Sequence, residues 1–81
     1  MKASKQFVDH LTEGVKALKA RHGWERVANS AVWSVFWAIS DKTDREVKDW
    51  STSPFHAERA ALKDAHIETA MKAALKAAGM A

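Results

Sequence analysis

The chain has 81 residues, 47% of them hydrophobic and 28% charged, with no cysteine and a formal net charge of +3. That length accommodates one domain, expected over 1–81, and the composition is too apolar for a disordered chain. Without cysteine there is neither a disulfide framework nor a thiolate metal site, and the expected address is cytoplasmic.

Lys2 and Lys5 are not followed by an apolar run, so no secretory signal is expected. The longest nearly apolar run, Ala31 to Ile39, falls far short of the roughly 20 residues that span a bilayer, and no membrane partner is expected. The charge is uneven. Residues 1–40 carry six basic and three acidic side chains, whereas residues 41–81 carry seven of each. Lys16, Lys19, Arg21 and Arg26 form the one concentrated positive stretch.

In chain order, the first predicted element is a helix over about 4–22. Phe7, Val8, Leu11, Val15 and Leu18 fall on one helical stripe, with Lys5, Asp9, Glu13 and Lys16 outside it. Gly14 costs about 1 kcal/mol relative to alanine inside a helix, which points to close packing by a neighbour. Gly23 sits where a helix C′ glycine belongs, and Arg21 and His22 suit the negative end of the helix dipole.

A second helix is predicted over about 24–40, central to the fold because it is apolar on nearly every side. Its main stripe is Trp24, Val27, Ala28, Ala31, Val32, Val35, Phe36 and Ile39. Trp33 and Trp37, one turn apart, point roughly 150–170° away from that stripe, on the side shared with Arg26 and Ser30. A buried strand over Val32–Ile39 is the weaker reading, since no partner strand is visible.

Thr43 and Glu46 have capping-box spacing and predict a short helix over 43–50, with Asp44 and Lys48 paired one turn apart. Ser53 and Pro54 then supply an N-cap and an N1 proline for a long last helix over about 54–78. Its apolar positions drift: Phe55 and Leu62 lie on one line, while Ala60, Ile67, Met71, Ala74 and Leu75 lie on another. Gly79 ends it, and Met80 and Ala81 are expected to fray. The fold class is therefore all-α, a compact bundle of three long helices plus one short one.

Candidate chemistry is sparse. His10, His22, His56 and His66 lack the spacing of metal ligands, so neither a metal nor another cofactor is expected. No nucleophile elbow, phosphate loop or catalytic carboxylate pair occurs, and the chain reads as a non-enzyme. The strongest signal is the second aromatic face. Trp33 and Trp37 with Arg26 have the residue types enriched at interface hot spots, although the same tryptophans could belong to a core buried on both sides. The expected function is a small protein-interaction module that self-associates as a homodimer, or binds and inhibits or regulates a larger protein. A phage or plasmid accessory protein fits that size and composition. The alternative is a nucleic-acid-binding regulator, using either a helix–turn–helix at 43–65 or the basic patch at 16–26, with Lys16, Lys19, Arg21 and Arg26 on phosphates.

Overall fold

A computed structural model describes residues 2–46 and 53–80, apart from the side chains of Asn29, Asp44 and Glu46. Among the described residues it contains four α-helices and no strand: α1 (Lys5–His22), α2 (Val32–Glu46), α3 (Pro54–Ala61) and α4 (Asp64–Ala77). The all-α bundle expected from periodicity is the fold.

Helix α1 begins and ends on local chemistry. The Ser4 hydroxyl accepts the Phe7 N–H at 3.1 Å, satisfying one of the orphan donors of the first turn. At the other end Gly23 adopts φ 67° and donates its N–H to Lys19 O at 2.8 Å, a conformation that costs glycine nothing. The buried stripe is Phe7, Leu11 and Val15.

The broadest helix pairing is α1 on α4, and α2 packs against both. Leu11 and Val15 of α1, Val32 and Phe36 of α2, and Met71 and Ala74 of α4 belong to one apolar core and are almost wholly removed from water. Helices α1 and α2 run antiparallel. His10 meets Thr43 at 2.9 Å near one end of the pair, and Gly14 faces Ile39 further along. A methyl group built on Gly14 would stand 2.8 Å from both Cγ1 and Cγ2 of Ile39. Those atoms are the rigid near end of a β-branched side chain. The close approach expected at Gly14 is therefore present, with Ile39 as the neighbour.

Three boundaries differ from the periodic reading, each for a tertiary reason. First, Trp24–Ala28 is not helical. After Gly23 the chain crosses the C-terminal end of α4, where Val27 N–H donates to Met80 O at 3.2 Å. Trp24 stacks on His22 with centroids 5.0 Å apart, and Trp24 and Val27 still pack on the core. A 3-10 turn at Asn29–Ala31 then leads into α2.

Second, α2 runs on through Thr43, which therefore starts no new helix. The Thr43 hydroxyl donates to Ile39 O, one turn back, at 3.0 Å. Arg45 and Asp41 form an i, i+4 ion pair at 2.9 Å. The short helix expected over 43–50 is thus the end of α2 as far as Glu46. Its remainder, including Lys48 and Trp50, lies outside the described residues.

Third, the long last helix breaks at Leu62, whose φ −85° and ψ 143° are extended. The two apolar lines explain the break. A straight helix cannot turn both Phe55–Leu62 and Ile67–Met71–Leu75 toward one core, and breaking it at Leu62 buries all five.

The C-terminal end also departs from expectation, since Met80 does not fray. Gly79 takes φ 75°, its N–H donates to Lys76 O, and Met80 N–H donates to Leu75 O at 2.8 Å. This is a Schellman motif, and it folds Met80 back beside Leu75, the hydrophobic contact that usually accompanies it. Met80 is 1% exposed. Ala81 lies outside the described residues.

Two stability measurements follow. Gly14→Ala gains about 1 kcal/mol of helix propensity but forces overpacking worth about 1–3 kcal/mol, so denaturant unfolding should show a net loss. In an Ile39→Ala background the same change should become neutral or stabilising. An equal loss in both backgrounds would disprove the contact as its cause. Ser40 is 1% exposed and its hydroxyl has no hydrogen-bond partner among the described residues. Ser40→Ala should therefore stabilise by about 1 kcal/mol, read as a melting point about 4–8 °C higher.

Candidate interaction surface

The two tryptophans of the second face part company in the structure. Trp33 is half-buried and packs on the core, edge-on to Phe36 at 5.6 Å. Trp37 is 52% exposed, the only large hydrophobic side chain so exposed among the described residues. Its ring lies 5.4 Å from Phe36 and 6.5 Å from Trp33, so aromatic neighbours brace it while about half of its surface is open to water.

Arg26 is not part of this arrangement. Its expected place beside the tryptophans depended on a helix through 24–28, and that segment is an irregular connector on which Arg26 is exposed. The guanidinium over the indole belongs instead to Arg59 of α3. Its Cζ lies 4.6 Å from the Trp37 ring centroid and 5.7 Å from that of Phe36, within the range of cation–π attraction. A signal for Arg59 was present in the sequence. It follows the core residue Phe55 by one turn, and no acidic residue stands three or four positions away from it to neutralise it.

The placement of α3 is what delivers Arg59. Phe55 stacks on Phe7 at 4.9 Å with ring planes 10° apart, and lies 6.4 Å from Phe36. On the adjacent side of α3, Glu58 accepts the Ser4 backbone N–H at 2.7 Å and the Ser4 hydroxyl at 2.5 Å. His10 closes the third side, tilted against Phe55 at 4.4 Å. The Thr43 hydroxyl lies 2.9 Å from His10 Nε2 and 3.0 Å from Ile39 O, which ties the ring to α2.

The four basic residues read as a possible nucleic-acid patch do not converge. Lys16 and Lys19 line one open hollow with Ala20, Gly23, Trp24 and Ala78. Lys16 pairs with Glu13 at 3.6 Å, and the Lys19 ammonium reaches the C-terminal turn of α4 beside Gly79, where a cation suits the helix dipole. Arg21 lines a different feature, the groove between α1 and α2, and Arg26 is on the connector. Of the 43–65 helix–turn–helix, the described part is the end of α2 followed by α3, whose exposed positions are Pro54, Ala57, Ala60 and Ala61. None of those side chains can donate to a base edge.

Among the described residues, no three His, Asp or Glu side chains gather closely enough to hold a metal ion. No helix among them is long and apolar enough to cross a membrane. Comparison with known proteins places the chain in no family: no family model matches it, and neither does any curated protein or solved structure.

The different burial of the two tryptophans predicts different costs on truncation. Trp33→Ala should lose about 2 kcal/mol or more, because it opens a gap against Phe36. Trp37→Ala should lose no more than about 1 kcal/mol. Urea titrations followed by circular dichroism measure both, and equal losses would contradict this division of the pair.

Proposed function

We propose that the chain is a non-enzymatic helical interaction module that docks on a protein partner through the face made by Trp37, Trp33 and Arg59. The observation that carries this reading is Trp37: a half-exposed indole, fixed from below by Phe36 and Trp33 and overlaid by a guanidinium. Rigid aromatic anchors beside arginine are the side chains that dominate binding energy when buried at an interface. Fixing the ring beforehand also lowers the entropy cost of burying it.

The exposed half of one tryptophan offers on the order of 100 Å², whereas a stable interface needs about 800 Å² from each side. Trp37 therefore acts as an anchor entering a recess that the partner supplies. In that mode the module binds a larger protein and regulates or blocks it. Nucleic-acid binding has less support, since duplex affinity rises with the number of phosphates neutralised: of Lys16, Lys19, Arg21 and Arg26, two share a hollow, and the groove that holds Arg21, Lys42 and Arg45 also holds Glu13 and Asp41.

Site-specific photocrosslinking tests the reading. Benzoylphenylalanine is placed at the exposed Ser34, one turn before Trp37 on α2, and at the exposed Ala73 of α4 as a control, in an extract of the producing cells. The expected result is one dominant adduct at position 34, identified by mass spectrometry. Excess wild-type protein should suppress it, and excess Trp37→Ala protein should not. An adduct of twice the chain's mass would assign the face to a homodimer. Equal labelling at both positions would remove the face from consideration.

A further inference from the structure

We infer that the segment docking on this face is acidic as well as apolar, with a carboxylate that pairs with the Arg59 guanidinium while an apolar side chain packs on the exposed part of Trp37. This rests on the docking reading above and adds the chemistry of the partner.

Among the described residues four helix cations are paired on their own helix, and Arg59, like Lys19, Arg21 and Lys76, is not. Lys5, Lys16, Arg45 and Lys72 each hold a carboxylate three or four residues away on their own helix. Arg59 has no ion pair among the described residues. The positions one turn from it are Phe55, His56, Leu62 and Lys63, and none is acidic. The adjacent carboxylate, Glu58, is committed to Ser4 by two hydrogen bonds. Among the described residues the guanidinium thus has no counter-ion, and its Cζ lies 4.6 Å from the Trp37 ring centroid and 5.7 Å from that of Phe36.

A guanidinium has two kinds of surface. Its plane is satisfied by an aromatic face, but its five N–H donors lie at the edge and need acceptors. Contact with the Trp37 ring satisfies none of those donors and no carboxylate among the described residues does, so a carboxylate of the partner matches them with two parallel hydrogen bonds. Glu58 is held by Ser4, and Asp41 on α2 by Arg45, so among the described residues Arg59 is left without a counter-ion beside the indole. A phosphodiester chain would meet this one arginine, and its affinity rises with the number of phosphates neutralised, so an acidic protein segment is the better complement.

The probe is a pair of acetylated, amidated pentapeptides, Leu-Glu-Leu-Asp-Leu and its neutral counterpart Leu-Gln-Leu-Asn-Leu, titrated into isotope-labelled full-length protein. The side-chain N–H signals of Trp37 and Arg59 are followed by NMR. The acidic peptide should move both signals, and the shifts should shrink at high salt. Arg59→Gln should weaken its binding about tenfold. Arg59→Lys should restore little of it, because charge without the fork is not equivalent. If both peptides move Trp37 equally, the carboxylate inference is overturned while the docking face stands. If neither moves Trp37, the docking face fails with it. An Arg59→Gln protein that binds the acidic peptide as well as wild type also overturns the inference.

Discussion

At Gly14 the missing Cβ lets Ile39 lie directly on the backbone of α1, and that contact sets how deeply α2 sits in the bundle. Depth decides exposure for the residues on either side of Ile39. Phe36, three residues earlier and on the same face, is driven into the core to 1% exposure. Trp37, one position further round the helix, is left at the rim. Any side chain at position 14 would push α2 outward, loosening Phe36 and with it the platform on which Trp37 and Arg59 rest.

From that contact an aromatic series runs from core to surface: Phe7 on Phe55, Phe55 near Phe36, Phe36 edge-on to Trp33 and Trp37, and Arg59 above Trp37. Each aromatic pair in such a series contributes about 0.5–1.5 kcal/mol beyond its area. The more important effect is geometric. Helix α3 has only eight residues, too short to hold itself in water, so the Phe55 stack and the Ser4–Glu58 hydrogen bonds determine where its arginine points. Ser4 caps α1 with the same hydroxyl that it donates to Glu58. The first turn of the chain therefore helps to position the candidate binding face.

The exposed ion pairs contribute little by comparison. Lys5–Asp9 and Lys16–Glu13 are short-range pairs in water, of a kind worth at most about 1 kcal/mol each. Stability rests on the shared core of α1, α2 and α4. That is also why a single buried hydroxyl without a partner among the described residues, Ser40, is a measurable cost in a domain whose whole stability is on the order of 5–15 kcal/mol.

Sequence alone determined whatever depends on neighbours within one helical turn. The limits of α1, the Ser53–Pro54 start of α3, the glycine at the end of α4, the close approach at Gly14 and a second aromatic face on α2 all follow from spacing, capping and glycine geometry. Tertiary structure decided the rest. Trp24–Ala28 leaves the helix because Val27 finds its acceptor on Met80, at the far end of the chain. The last helix breaks because its two apolar stripes share one core. Trp33 and Trp37 carry the same local signal, and only the packing of α2 and α3 separates the one against the core from the one in water, and sets Arg59 over it in place of Arg26. Periodicity records which side chains share a face of one helix, whereas long-range hydrogen bonds and packing depth decide what that face meets.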